Sequence, residues 1–228
     1  MTDQTDQKPH RRAVLAGSAL AALGAAANAS CAQTIGANGK LKVAVLVDQA
    51  STLIDFAGLW QALANAWAAK VPGFSLYTVA PTMAPITASG ILVTPDFSYA
   101  NAPAPDILAM GAQGGYNDAK RDWILKVNAT TKVTASVCTG AFILAKAGLL
   151  DGLQATTHHK FYDQLEQAFP KVHVVRGRRI VDQGHIVTAG GESCCIDLGL
   201  WLIDKFYGRQ AALAAADETE YEGLSWQT

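Results

Sequence analysis

An α/β sandwich with a mostly parallel central sheet is the fold that the sequence predicts, and three observations predict it. Short strand-like segments recur at 41–47, 74–80 and 132–138, the first apolar and rich in valine. Stretches with helical spacing stand between them. The 228 residues, half of them hydrophobic, suit one core of ordinary size.

Each element follows in order. LKVAVLV (41–47) reads as a buried strand. In 53–70 Leu59, Leu63, Ala66 and Trp67 recur at helical spacing. FSLYTVA (74–80) is a second strand, and 85–96 a hairpin turning at Ser89-Gly90. The segment 106–115 is a strand running into a glycine loop, and Asn117 can cap a helix over 118–128. KVTASVC (132–138) is a third core strand, with a helix over 139–149 and an amphipathic one over 158–169. VHVV, RIVDQ and HIVTAG make late strands. The segment 192–208 is a long, nearly all-apolar helix, which needs cover inside the chain or at an interface.

The head of the chain is a different object. Arg11-Arg12 is followed by Val14, Leu15 and an Ala/Leu run, and Ala27-Asn28-Ala29 offers a cleavage site, with Ser30-Cys31-Ala32 as a second. The run is too short and too rich in alanine for a membrane span. The pattern predicts a twin-arginine export signal over 1–32, a linker over 33–40 and one domain over 41–228, in the periplasm or secreted. A disordered or helical tail is the plain alternative. A lipoprotein signal ending at Cys31 is disfavoured, because Asn28 stands where such signals carry leucine.

The net charge of −1, without a block of Lys or Arg, provides no field for nucleic acid. No zinc-like spacing and no nucleotide or flavin motif is present, so no metal or cofactor is expected. The body of the chain holds Cys138, Cys194 and Cys195, which is no disulfide framework. Cys194 and Cys195 are neighbours, and two free buried thiols are expected there.

Cys138 closes a core strand, and Thr139, Gly140 and Ala141 open the next helix without bulk. In an open α/β sheet ligands bind at the carboxyl ends of the strands. A sharp strand-to-helix turn exposes one side chain there. The free N–H groups of the helix start predict a lowered thiol pKa. A buried structural cysteine is the competing reading.

SVCTGAFILAKAGLLDGLQATTHH (136–159) resembles the nucleophile segment of the ThiJ/PfpI superfamily, and within it isocyanide hydratase, whose cysteine is likewise followed by Thr-Gly and later Ala-Thr-Thr-His. The amidotransferase-like domains of AraC-type transcription regulators carry the same segment. The resemblance covers nearly all of 41–223, through STLIDFAGLWQAL, HIVTAGG, Cys195-Ile196-Asp197-Leu198 and Glu220-Tyr221. It implies a three-layer sandwich of the class I glutamine amidotransferase-like (flavodoxin-like) type, usually a homodimer.

The resemblance further implies that Cys138 is the nucleophile and Asp55 its acid–base partner. Asp55 also has a plain explanation as a helix cap. In this fold the first and third core strands can be neighbours, so their carboxyl ends, and with them the two residues, can meet. Where the family has Pro-Gly-Gly, Met110-Gly111-Ala112 stands here, with Gln113-Gly114-Gly115 as a competing register. Backbone N–H groups of Gly111, Ala112 and Thr139 are the candidates for an anion hole, and a tight glycine turn is the alternative. The PfpI-type proteases place His directly after the cysteine, where this chain has Thr139, which counts against peptidase activity. His158 and His159 are expected to be solvated or capping, Glu192 to complement a helix dipole, and Arg176, Arg178 and Arg179 to form a solvated turn.

Three functions are therefore open. One is an exported enzyme that hydrates isocyanides, acting on a small-molecule substrate without metal or cofactor. The second is a ligand- or oxidant-sensing module without turnover. The third is other hydrolase or lyase chemistry. The regulators carry a DNA-binding domain after this one, whereas this chain ends at Thr228.

Overall fold

The computed structural model describes residues 39–227; the export signal and the start of the linker read from the sequence lie outside them. Seven strands form one sheet: β1 (Leu41–Leu46), β2 (Phe74–Ala80), β5 (Phe97–Ser98), β6 (Ile107–Met110), β7 (Val133–Val137), β10 (Ile180–Gln183) and β11 (Ile186–Ala189). A hairpin of β3 (Ile86–Ala88) and β4 (Ile91–Val93) and a pair of β8 (Gln154–Ala155) and β9 (His173–Val174) stand outside it. The order in the large sheet is β10-β11-β7-β6-β1-β2-β5, and every pairing except β10 with β11 is parallel.

The helices are α1 (Leu53–Ala64), α2 (Asp118–Asn128), α3 (Gly140–Lys146), α4 (Tyr162–Ala168), α5 (Cys194–Tyr207) and α6 (Arg209–Glu218). Alternation along the strands sorts the two faces of the sheet. Val43, Val45, Ile107, Ala109, Val133, Ala135 and Val137 share one core with Leu59 and Leu63 of α1, Leu198 and Leu202 of α5, and Ala212 of α6. The intervening Ala44, Leu46, Leu108 and Met110 are buried too, so the opposite face is covered as well. This is the three-layer arrangement with a mostly parallel sheet.

Close approach of α1 and α5 depends on missing side chains. A Cβ at Gly199 would stand 2.6 Å from that of Ala62, and one at Gly58 would stand 2.4 Å from the sulfur of Cys195. The long apolar helix read from the sequence is thus covered within its own chain, by α1 and α6. It is no longer a reason to expect a partner.

Several boundaries differ from the periodicity. The helix over 53–70 is α-helical only to Ala64, and Asn65–Ala69 tightens into a 3₁₀ turn. There Asn65 receives a hydrogen bond from Gln61 and donates one to Thr219, tying the helix end to the segment after α6. The helix over 158–169 is split by a 3₁₀ turn at His159–Phe161. The helix after Cys138 stops at Lys146, before Gly148 at a φ of 75°. Helix α6 follows Gly208 and buries Ala211, Ala212, Ala215 and Ala216 on one face. The Asn117 cap forms, its side chain accepting from the Lys120 amide at 2.9 Å. The hairpin turns at Ser89 and Gly90, both with positive φ.

One expected neighbour relation is corrected. β1 and β7 are not adjacent, because β6 pairs with both. The carboxyl ends of β1, β6, β7 and β11 line one edge of the sheet, and the candidate residues gather there.

Candidate active site

Cys138 is the first residue after β7 and holds a φ of 57°. That left-handed conformation is uncommon for a residue with a Cβ. Its amide donates to the carbonyl of Gly190 at 2.7 Å and, at 3.2 Å, to that of Ala189. Its carbonyl accepts from Thr157 Oγ1 at 2.8 Å. Gly140 lets α3 start against the end of β6: a Cβ there would stand 2.7 Å from the Met110 carbonyl oxygen. The side chain is 6% exposed, at the strand edge where the elbow places it.

Asp55 lies in the first turn of α1 and is 1% exposed. It does not cap that helix. The N-cap residue is Thr52, and no side chain caps the helix start. Instead Oδ2 of Asp55 accepts from the amide of Ala112 at 2.8 Å. Oδ1 is buried and has no well-formed hydrogen bond. The Cys138 thiol faces this carboxyl as a looser donor that favours its charged form. Gly111 makes the contact possible, because a Cβ there would stand 2.5 Å from that of Asp55.

These contacts assign the two halves of the loop to different carboxylates. Gly111 and Ala112 adjoin Asp55, while Gly114 and Gly115 serve the neighbouring Asp48 corner. Gly114 donates to the Gln49 carbonyl at 2.9 Å, and a Cβ at Gly115 would stand 2.5 Å from an Asp48 oxygen. The expectation that Ala112 points an N–H into an anion hole is corrected, since that N–H holds Asp55. The amide of Thr139 turns back toward the Cys138 sulfur, and the amide of Glu192 joins it there.

Burial, foremost, pushes the Asp55 carboxyl up to about 6, against the Ala112 hydrogen bond; the Glu192 charge adds to the rise. Burial and then the Asp55 charge push the Cys138 thiol up to about 11, overcoming the Glu192 and Thr139 amides. The lowered thiol pKa expected from the helix start is therefore reversed in the free protein. On the order of one molecule in 10⁴ carries a Cys138 thiolate at pH 7. The resting pair at that pH is a neutral thiol beside a carboxylate. Such a pair transfers a proton when an electrophile arrives.

The remaining candidates separate clearly. Arg179 is half-buried and paired rather than free in solvent. Its guanidinium donates to the fully buried Asp197, from Nε at 2.8 Å and Nη2 at 2.5 Å, and Tyr221 donates to the same oxygen at 2.9 Å. Arg176 pairs with the exposed Asp163 and Glu166. His158 caps the 3₁₀ turn, Nδ1 accepting from the Lys160 amide at 3.2 Å, and its ring stacks on His159. Cys194 and Cys195 are free and buried. Two contributors were not singled out from the sequence: Thr157, which fixes the elbow, and the backbone of Glu192, which contacts the thiol. Thr157 stands in the Ala-Thr-Thr-His run that carried the resemblance, and that was its available signal. Among the described residues no three His, Cys, Asp or Glu side chains converge as metal ligands, and no helix is long and apolar enough to cross a membrane.

A cysteine on a left-handed strand-to-helix elbow, with a buried carboxyl beside its thiol, defines the class: α/β proteins that present one side chain at the carboxyl edge of a parallel sheet. Within that class the chain belongs to the DJ-1/PfpI family, whose sequence profile matches residues 41–205. Isonitrile hydratase of Pseudomonas putida is 28% identical over 175 residues, 74% of this chain and 73% of that protein. The HTH-type transcriptional regulator GbdR of Pseudomonas aeruginosa is 30% identical over 139 residues, which are 59% of this chain and 38% of the regulator. The chain thus matches well under half of the regulator's length. Among solved structures, a ThiJ/PfpI family protein from Pseudomonas syringae shares the fold with a TM-score of 0.71 at 23% identity, over 94% of this chain and 84% of that one.

Asp55→Asn tests the buried charge. The folded pKa lies above the ordinary carboxyl value of 3.8. The native state therefore holds the proton more strongly, and stability is lost as pH rises from about 4 to about 6. The loss amounts to about 3 kcal/mol once complete. Asparagine retains an acceptor for Ala112 and has no charge to bury. Urea unfolding at pH 4 and pH 7.5 is expected to show that slope in the wild type and a flatter one in the variant. Parallel curves would remove the buried charge from the account.

Proposed function

We propose that the protein is an exported lyase resembling isonitrile hydratase, which adds water to an isocyanide and releases an N-substituted formamide. One observation carries the proposal: the neutral Cys138 thiol beside the buried, high-pKa carboxyl of Asp55. The 28% identity to isonitrile hydratase supports it.

The terminal carbon of an isocyanide accepts both a nucleophile and a proton. As the Cys138 sulfur bonds to that carbon, Asp55 takes the thiol proton and delivers it to the same carbon, giving a thioimidate. Water then adds across the C=N bond, with Asp55 accepting a proton from the water and the imine nitrogen gaining one. The C–S bond breaks, the formamide leaves, and the thiol regains its proton. Cys138 is the nucleophile and Asp55 the general acid–base. Gly111, Ala112, Thr157 and Glu192 position them.

The second reading is a module that senses an oxidant or ligand without turnover, and identity to the transcription regulators favours it. A thiol pushed up to about 11 is poorly suited to rapid peroxide sensing, which proceeds through the thiolate.

Incubation with an aliphatic isocyanide is expected to yield formamide. kcat/KM should rise with pH through about 6, as Asp55 becomes the carboxylate base. Cys138→Ala should abolish turnover, and Asp55→Asn should lower it by about 10²–10⁴-fold. Wild-type protein without turnover, or Cys138→Ala with undiminished turnover, sinks the proposal.

We also propose that residues 1–32 direct twin-arginine export to the periplasm, on the strength of Arg11-Arg12, Val14 and Leu15. Replacing both arginines with lysine is expected to leave precursor in the cytoplasm, and undiminished periplasmic protein would refute the assignment.

A homodimer is the proposed assembly. Its support is the apolar surface at the β3–β4 hairpin, where Ile91 is 53% and Leu92 71% exposed. A hydrogen bond from the Leu53 amide to Ser89 Oγ ties this hairpin to the start of α1, where Ile54 is exposed as well. Leu92→Glu is expected to shift sedimentation from dimer to monomer; a wild type that sediments only as monomer at micromolar concentration contradicts the assembly.

A further inference from the structure

We propose that the cleft beside the elbow, about 440 Å³ in volume and lined by Lys160, Arg178 and Glu192, binds the anionic tail of the substrate. The substrate class is then a small organic acid whose reactive head and carboxylate stand several atoms apart. The substrate part of the proposal rests on the hydratase reading; the anion site rests on the cleft alone.

The backbone places the cleft relative to the thiol. Gly190 accepts from the Cys138 amide at 2.7 Å and donates to the Arg179 carbonyl at 2.9 Å. Cys138, Gly190 and Arg179 therefore lie on three successive rows of one ladder. Rows stand ~4.8 Å apart, so the Arg178–Arg179 segment runs roughly 10 Å from the elbow. Glu192 lines the cleft at its near end, with its amide on the Cys138 sulfur.

The charges are distributed unequally along this path. At the near end Asp55 and Glu192 are acidic, and both raise the Cys138 pKa. Arg178 lies at the far end and Lys160 on the cleft wall after Thr157; both are exposed, and no ion pair or side-chain hydrogen bond engages either of them among the described residues. Arg179 lines the same cleft, but its charge is compensated by Asp197. Burial, first of all, lowers the His158 pKa, with the His159 and Lys160 charges acting the same way and the Glu192 charge opposing them, so this ring adds no fixed cation. Two cations without an ion-pair partner therefore line a cleft whose near end carries the acidic Glu192.

A ligand suited to this field has a neutral head and a negative tail. Its length is constrained as well. Coulomb repulsion between unit charges falls inversely with distance, so at ~10 Å it is about two-fifths of its value at ~4 Å. A carboxylate directly attached to the reacting carbon meets Asp55 and Glu192. One carried on a chain of four or five atoms clears them and reaches toward Arg178, with Lys160 on the wall of the same cleft.

Alkylation of Cys138 tests the site without requiring turnover. The reagents are N-iodoacetyl-4-aminobutyrate and its neutral carboxamide. In both, the sulfur displaces iodide, an S–C bond forms, the C–I bond breaks, and the thiol proton leaves to Asp55 or water. Peptide mapping by mass spectrometry gives the rate at Cys138 alone. The anionic-to-neutral rate ratio is expected to exceed that for free cysteine by about 10-fold or more, to fall with added salt, and to return to the free-cysteine value in Lys160→Gln/Arg178→Gln. A wild-type ratio no higher than free cysteine, or one that persists in the double variant, overturns the proposal. The paired measurement is hydration of a neutral alkyl isocyanide against a 5-isocyanopentanoate-type substrate. Preference in alkylation without hydration of either isocyanide retains the anion site and removes the hydratase reading. Hydration of both isocyanides without preference, in alkylation or in turnover, does the reverse.

Discussion

The left-handed backbone of Cys138 is the constraint on which the rest of the site depends. For a residue with a Cβ that conformation costs about 1–2 kcal/mol and persists only where the surroundings impose it. Here they come from separate parts of the chain. Gly190 and Ala189 take the amide, Thr157 holds the carbonyl, and Gly140 leaves room for the carbonyl of Met110. Three strands and the segment after β8 must be assembled before the turn can close. The same closure directs the Thr139 and Glu192 amides at the sulfur. Geometry and electrostatics at the thiol thus share one origin.

Burial at this point works against charge on both partners. Asp55 is desolvated and retains one strong hydrogen bond, from Ala112. That bond offsets only part of the desolvation, so the carboxyl is a weak acid, near 6. Its charge in turn helps keep the proton on Cys138. A carboxylic acid near 6 can hold a proton briefly and release it at neutral pH. A thiolate stored in advance would not need such a partner, whereas a thiol at about 11 does. The arrangement links the two residues more firmly than proximity alone.

The sequence made the local features legible and left the distant ones hidden. Strand 74–80, the Asn117 cap and the Ser89-Gly90 turn are written in adjacent residues, and the structure has all three. The elbow was legible for the same reason, as small residues following the end of an apolar strand. Contacts across many residues were not. Asp55 meets Ala112 across 57 positions, and nothing local in either residue announces it. Arg179 looks solvated among its basic neighbours until Asp197, 18 residues on, is seen fully buried beneath it. The free amides of the helix start are visible in adjacent residues, whereas the burial that raises the thiol pKa comes from elements far apart in the chain. The α6 stripe of alanines was present in the sequence, but alanine gives a weaker apolar signal than leucine.

Two carboxylates at the same edge of the sheet show what separates structure from chemistry. Asp48 follows β1 and has Lys120 at 2.8 Å; that lysine is itself fully buried and donates to the Gly114 carbonyl at 2.6 Å. Asp48 also accepts from the Gln49 amide at 2.7 Å. Cation and anion enter the interior together, and the pair clamps the far half of the glycine loop to the end of β1. Removing either partner of a pair this deep would leave a lone buried charge, typically a cost of about 3–5 kcal/mol. Asp55 lies at the near half of that loop and has no such cation among the described residues. A lysine beside it would stabilise the carboxylate and draw its pKa away from the working range. The loop is thus held rigid at one end by a compensated charge, and at the other it fixes an uncompensated one beside the thiol. Rigidity at the first end allows the second to stay poised, because a mobile Ala112 amide could not fix an unpaired carboxyl against water.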